Sequence, residues 1–447
     1  MSELLDYASQ VIELAHKAGA TGAECTVSEG ENFSVDVRLG EVETLTQSAS
    51  RAAGLRVMVG RFTGSSYTSD LTRDGLVKLV ASALELAAVT TEDPLAGLPD
   101  PEDLGSFAGD LDLFSDDIEN LPPPERIQMA QRAERAALDF DPRITNSEGA
   151  SFSSFRGVHA FANSLAFTGE YRSSYCSISC VPVAKQGEQM ERDYWSSSAR
   201  GVAKLESPEH VGRTAAERTV RRLGAVKAAT QKVPIVFEPR VARSFAGGLF
   251  EAIEGRSIYR DSSFLAGKLG QSIASSRTTL VDDGTMPQLF GSQPFDDEGV
   301  ATRRTVVIQN GVLQTYLLNT YSARKLGMRT TGNASRGITG NAGVGHGNFY
   351  LEPGERSPEE MIRSIANGFY VTELIGSGVN VSTGDYSRGA TGLWIQNGEL
   401  TYPVSEVTIA GTLQEMLANL EPASDLEFRG SVAAPTLFLG EMTVGGK

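Results

Sequence analysis

Two stretches in the second half of the chain, VVIQNGVLQTYLLN (306–319) and LWIQNGELTYPV (393–404), set an Asn-Gly pair between runs that alternate apolar and polar residues. Asn and Gly accept the positive φ that a two-residue hairpin turn demands, and the alternation gives each flanking strand one apolar face. The second half is therefore committed to antiparallel hairpins. VPIVFEP (233–239) adds a strand, and APTLFLGEMTV (434–444) reads as the last one. Ser357-Pro-Glu-Glu360 is a capping box, predicting a short helix up to Asn367-Gly368. Strands outnumber helices so clearly here that a sheet or partly closed barrel is expected.

The first half mixes both periods. MSELLDYASQVIELAHKAG predicts a helix with Ser2 as N-cap and Gly19 as its stop. From Glu31 to Thr68 the text alternates, broken at Leu39-Gly40 and Gly60-Arg61, which predicts an antiparallel meander. Asp70 is placed to cap a helix over LTRDGLVKLVASALELA. Residues 91–124 are rich in proline and loop-like, and Glu125–Leu138 reads as a second long helix. Short alternating segments return between Gly149 and Tyr194. Ser207-Pro208-Glu209 then opens a helix expected to stop near Gly224. A chain of 447 residues is too long for one core. The expected class is α+β: an N-terminal domain at 1–224 with a meander flanked by helices, a linker at 225–232, and a β-rich, partly closed barrel-like domain at 233–447.

The formal net charge is −16, from 56 acidic and 40 basic residues. Nucleic-acid binding needs a basic stripe to neutralise phosphates, and none is present. No window approaches the 18 apolar residues of a membrane span, and the acidic, periodic N-terminus does not read as a secretory signal. Three cysteines (Cys25, Cys176 and Cys180) make no disulfide framework, so a reducing cytoplasm is expected.

Chemistry is sparse. None of the four histidines, His16, His159, His210 and His346, has a second imidazole three to five residues away, so no helix offers a paired metal site. Cys176 and Cys180 share a strand face ~13 Å apart, too far to grip one ion, and read as small buried hydrophobes. Ser387 in GDYSRG is one place out of register for Gly-x-Ser-x-Gly and precedes a strand, so a turn explains it. The clusters Asp282-Asp283-Gly284-Thr285 and Asp296-Asp297-Glu298-Gly299 lack the alternating ligands of a calcium loop. They read as turns in solvated loops. TTGNASRGITGNAGVGHGNFYLEPG (330–354) is too glycine-rich for a regular element and reads as a loop able to cradle a peptide or partner.

Longer motifs then supply a resemblance. DDGT (282–285), PFDDEG (294–299), NGVLQTYLLNTYSARKLG (310–327), TTGNASRG (330–337) and GDYSRGATGLWIQNGELTYPVSEVTIAG (384–411) resemble the TldD/PmbA family, as does GLRVMVGRFTGSSYTSDLT (54–72). Within it they look closest to the PmbA, or TldE, branch, historically called modulators of DNA gyrase. The resemblance implies a cytoplasmic metalloprotease of paired TldD and TldE subunits acting on short or unfolded peptides, with a role in maturing a peptide antibiotic. It implies zinc in the partner, on a His-Glu-x-x-x-His helix where the glutamate polarises metal-bound water.

Aligned by its trailing Glu-Gly, that helix falls on GGLFEAIEGRS (247–257). Its histidine positions become Ala246 and Glu251, and its glutamate becomes Gly247. No cysteine follows Cys180 to serve as a further ligand. The resemblance thus implies a chain without catalytic or metal residues of its own, paired with an HExxxH-bearing subunit or acting as a peptide-binding homodimer. Asp283, Asn333, Arg336, Asp385 and Arg388 are the candidates for contacting peptide or partner. A stand-alone hydrolase using Ser387 or the acidic loops is the remaining reading.

Overall fold

The computed structural model describes residues 2–446. In the first half, strands β1 (Gly22–Arg38), β2 (Glu41–Val59), β3 (Phe62–Thr68), β4 (Ile144–Asn163), β5 (Thr168–Gln186) and β6 (Gln189–Arg192) make one antiparallel sheet in the order β3-β2-β1-β4-β5-β6. β7 (Trp195–Ala199) also pairs with β5. Helices α1 (Glu3–Lys17), α2 (Arg73–Val89), α3 (Asp117–Asn120), α4 (Pro123–Leu138) and α5 (Pro208–Val220) complete this half.

Four strands run 17 to 20 residues, long enough to carry two separate cores on one face. Odd-numbered residues of β1 point to that face. Cys25 and Val27 meet α1 and α2, and Phe33, Val35 and Val37 meet α4 and α5. Cys176 and Cys180 are buried in the second of these cores, as their spacing on a strand suggests. Even-numbered residues face the other way. Glu24 and Thr26 on β1, with Gly54 and Arg56 opposite them on β2, receive the second half of the chain.

That half holds α6 (Pro239–Ile253), α7 (Gly255–Tyr259), α8 (Thr320–Leu326), α9 (Pro358–Arg363) and α10 (Leu413–Asn419). Its strands are β8 (Gln231–Phe237), β9 (Leu280–Asp283), β10 (Arg304–Gln309), β11 (Val312–Leu313), β12 (Ala334–Ser335), β13 (Gly343–Val344), β14 (Asn348–Leu351), β15 (Asn367–Ile375), β16 (Asp385–Gln396), β17 (Glu399–Thr412), β18 (Glu421–Pro422), β19 (Val432–Ala433) and β20 (Leu437–Gly445). One sheet runs β17-β16-β15-β8-β20-β18, and β20 also pairs with β17. The expected partial barrel is therefore a closed five-stranded one, with a single parallel contact between β8 and β15. A second sheet runs β11-β10-β9-β14-β19. Both Asn-Gly pairs turn hairpins with positive φ, 48° and 83° at Asn310-Gly311 and 50° and 83° at Asn397-Gly398.

Local corrections have local causes. Thr72, not Asp70, caps α2. Its hydroxyl accepts from the Gly75 N–H, while Asp70 takes the Thr72 N–H and hydroxyl and so orients the cap. α5 ends at Val220, short of Gly224. α9 ends at Arg363 because Asn367 and Gly368 already pair with β16. Within the stretch 225–232, Val226 bridges to Val404, and β8 starts at Gln231. Among the described residues no helix is long and apolar enough to cross a membrane.

The halves meet along the glycine-rich segment, which is built rather than loose. β12 and β13 form a ribbon within it, and β14 enters the second sheet. Arg336 reaches the fully buried carboxylate of Glu24, which Arg56 also holds at 3.0 Å. Beside this pair the chain passes directly over Gly54, where a Cβ would fall 1.5 Å from the Ile338 carbonyl oxygen. Phe295 inserts its ring among Phe161, Phe167 and Tyr171 of the first half, at centroid distances of 6.2, 5.4 and 5.6 Å. Gly54→Ala is expected to lift residues 337–341 off the sheet at a cost of about 2 kcal/mol or more. Denaturant unfolding and faster amide exchange confined first to that segment check this.

Candidate functional site

Helix α6 is the element that the resemblance singles out. Glu238 precedes it, and Pro239 at its first turn needs no N–H partner. The Glu238 carboxylate is clamped by Arg218 and by Arg221 at 3.4 Å, and Asp193 joins Arg218 and Arg240 at 3.3 and 3.2 Å. Charges on α5 thus fix where α6 begins. Its inner face, Val241, Ala242, Phe245, Ala246, Leu249, Ala252 and Ile253, is buried in the core of the second half.

The outer face carries Ser244, Gly247, Gly248 and Glu251, spaced as one helix stripe. A Cβ at Gly247 or Gly248 would meet nothing within 4 Å, so the mid-helix floor is bare backbone beside open space. Consecutive helical glycines cost roughly 1 kcal/mol each against alanine, and no packing contact at these positions requires them. Arg388 of β16 borders the first turns, donating to the Ser244 hydroxyl at 2.9 Å. His346 of the glycine-rich segment borders the last turns, its ring edge-on to Phe250 at 4.9 Å. Between Ser244 and Phe250 the helix rises ~9 Å, room for two to three extended residues.

This floor does not fit a zinc ion. Ala246 is fully buried and points into the core, Gly247 has no side chain, and Glu251 alone offers an oxygen, exposed to solvent. The three thiols lie in the first half, and burial pushes each up to about 12, far from the thiolate that binds metal. Among the described residues no three His, Cys, Asp or Glu side chains converge as a metal site.

The other proposed contact residues scatter. Asp283 is buried at the end of β9, accepting from the Thr285 N–H and hydroxyl at 2.8 and 2.6 Å. Asn333 donates to Asp282 and to the Gly345 carbonyl, tying the glycine-rich segment to β9. Arg336 is spent on Glu24. Asp385 is exposed and accepts from the Thr383 hydroxyl. Only Arg388 borders the open face. Ser387 is exposed within β16 rather than in an elbow. His346, the other border, carries no signal in the sequence beyond its glycine-rich surroundings.

The acidic clusters do not lie in solvated loops; they are the pins of the segment. Asp296 is buried, accepting from the N–H groups of Glu298, Val300 and Ala334. Glu298 takes the Thr320 N–H at 2.9 Å. Asp282 accepts from Asn333 and from the Gly347 N–H, both at 2.7 Å. Burial, aided by the neighbouring Asp283, pushes its carboxyl up to about 7. Between pH ~4 and ~7 the folded chain therefore holds a proton at Asp282 that the unfolded chain has lost. Asp282 makes stability fall as pH rises through this window and level off above it. Asp282→Asn should abolish that slope. The Asn333 amide then turns over, so that its Oδ1, which lacks a partner in the parent, accepts from the new amide in exchange for the weak bond to the Gly345 carbonyl. The variant is expected to gain about 1–3 kcal/mol over the parent at pH 8 and nothing at pH 4.5, by denaturant titration at both pH values.

Comparison with known proteins agrees with this architecture. The PmbA/TldA metallopeptidase domain 1 model matches residues 23–87, the central-domain model 116–223 and the C-terminal-domain model 230–446. The metalloprotease PmbA of Escherichia coli O157:H7 is 40% identical over 440 residues, covering 98% of this chain and 95% of its own length. A Bacteroides thetaiotaomicron protein named for modulation of DNA gyrase superposes with a TM-score of 0.92 at 28% identity, covering 100% of both chains. TldE from Thermococcus kodakarensis shares the fold, with a TM-score of 0.86 at 21% identity over 98% of this chain and 100% of that one. A chain matched by all three domain models of one family, and along nearly its whole length by one of its metalloproteases, belongs to the PmbA/TldD metallopeptidase family.

Proposed function

We propose that this chain is the TldE-type subunit of a cytoplasmic TldD/TldE metallopeptidase, holding an extended peptide while an HExxxH-bearing partner supplies the zinc. The observation that carries the reading is the α6 floor. The positions that would ligate metal are Ala246 and Glu251, the one that would polarise its water is Gly247, and the two glycines leave a bare, open surface there. A peptide laid there meets backbone and two polar borders rather than shaped side-chain pockets. That suits substrates of varied sequence. Three cysteines with no disulfide between them agree with a reducing compartment.

A surface for pairing is also present. Residues 41–50 of β2 are exposed on both faces, and β3 covers β2 only from Ala53 onward. Val42 and Leu45 stand 42% and 49% exposed on this open edge, where a second chain can add a strand. The same edge serves a heterodimer or a peptide-binding homodimer, so the partner's identity decides between the two.

Purified alone and dialysed against trace zinc, the chain should retain well under one ion per molecule by elemental analysis; about one tightly held ion sinks the non-metallated assignment. Gly247→Leu should fold as well as the parent, or better by roughly 0.5–1 kcal/mol, because helix propensity improves without a clash. It should nonetheless weaken capture of an extended peptide about tenfold or more. Unchanged peptide affinity in that variant removes α6 from the site. Leu45→Lys should abolish pairing with the HExxxH subunit in co-purification while leaving the melting temperature unchanged.

A further inference from the structure

A second recess, of about 380 Å³, opens where the two halves meet, beside α7. α7 follows α6 with no intervening loop, Glu254 being C-cap of one and N-cap of the other. The recess thus lies beside the helix that directly follows α6. Arg56, Arg256 and Arg260 all line it. In a chain of net charge −16 such a concentration of guanidinium groups calls for counter-charge.

The available carboxylates do not supply it. Among the described residues, neither Arg256 nor Arg260 has a carboxylate oxygen within 4 Å. Arg56 is 6% exposed and bonds Glu24 through Nη1, but its Nε is buried with no partner. Two acids also border the recess, Asp93 and Glu298. Asp93 is occupied by the Tyr321 hydroxyl at 2.8 Å and the Leu95 N–H at 3.0 Å. Glu298 is held toward its neutral form by burial and by the charge of Glu24. The recess therefore keeps a surplus of positive charge with unused donors.

Its remaining wall indicates how a ligand arrives. Gly343 and Val344 of β13 line the recess, and β13 pairs on one side only, with β12. Among the described residues its other edge carries no strand, and Gly343 is exposed. The rings of Tyr259 and Tyr321 line the same recess as the arginines.

We propose that this recess is a carboxylate-binding site that receives the C-terminal end of a bound peptide, Arg256 and Arg260 gripping the terminal carboxylate. The proposal rests on the peptide-holding reading above and adds a direction and an end-specificity to it. An alternative source of the same chemistry is an acidic side chain at the peptide's last position.

The test uses the full chain and an N-terminally fluorescent hexapeptide of alternating valine and alanine, followed by fluorescence anisotropy. The peptide is prepared as free acid, as C-terminal amide, and as amide ending in glutamate. The free acid should bind about tenfold or more tightly than the plain amide. That advantage should vanish in Arg256→Gln/Arg260→Gln, whose exposed positions leave the fold undisturbed, verified by an unchanged melting temperature. A glutamate-ended amide binding like the free acid supports the site and names the side chain as its source. Equal binding of acid and plain amide overturns the carboxylate site while the peptide-holding reading stands. Discrimination that survives the double substitution overturns the assignment to these arginines. Binding of neither peptide overturns both readings.

Discussion

The buried carboxylate of Glu24 is the constraint around which the two halves are organised. A charge taken wholly out of water is tolerated only when its partners are fixed in place. Arg56 comes from the adjacent strand, a local cross-strand neighbour, but Arg336 comes from 312 residues further along the chain. That second guanidinium sits in a glycine-rich segment with little conformational preference of its own. Its position is imposed by Asp282, Asp296 and Glu298, each buried and each accepting backbone or amide N–H groups from the segment or its neighbours. Removing either member of such a pair typically costs 3–5 kcal/mol, because the survivor stays buried. The union of the halves is thus electrostatic at its centre and aromatic at its rim.

This arrangement explains why so polar a segment is ordered. Glycine lets the backbone pass over Gly54 and beside β9 at distances that no side chain permits, and carboxylates then satisfy the N–H groups brought into the interior. On α6 beside it, Gly247 and Gly248 leave the outer face as bare backbone next to open space.

Much of the architecture was legible from local pattern. The two Asn-Gly hairpins, the Ser357 capping box, the Ser207 cap and the meander all rest on neighbours within a few residues, and the folded chain keeps them. Errors arose where distant partners decide. Asp-Asp-Gly reads identically as a solvated turn or a buried pin, because the difference lies in Asn333 and Gly347, some 50 to 65 residues away. The expected partial barrel closes fully because β17 meets β20, and the sequences of those strands carry no mark of their neighbour. At the site, the positions of Ala246, Gly247 and Glu251 on one helix were readable residue by residue. The border formed by His346 was not, since only the tertiary path of the glycine-rich segment brings it to Phe250.

The closed barrel has a consequence for how the protein is made. β8, the first strand of the second half, lies between β15 and β20 (Leu437–Gly445). During synthesis β8 emerges some 200 residues before β20. At typical translation speeds that is a wait of about 10–40 s. Throughout it, one edge of a strongly apolar strand has no native neighbour, and the ring cannot close until β20 has emerged. The nascent second half therefore spends its synthesis as an open sheet, exposed to the pairing errors that chaperones exist to prevent.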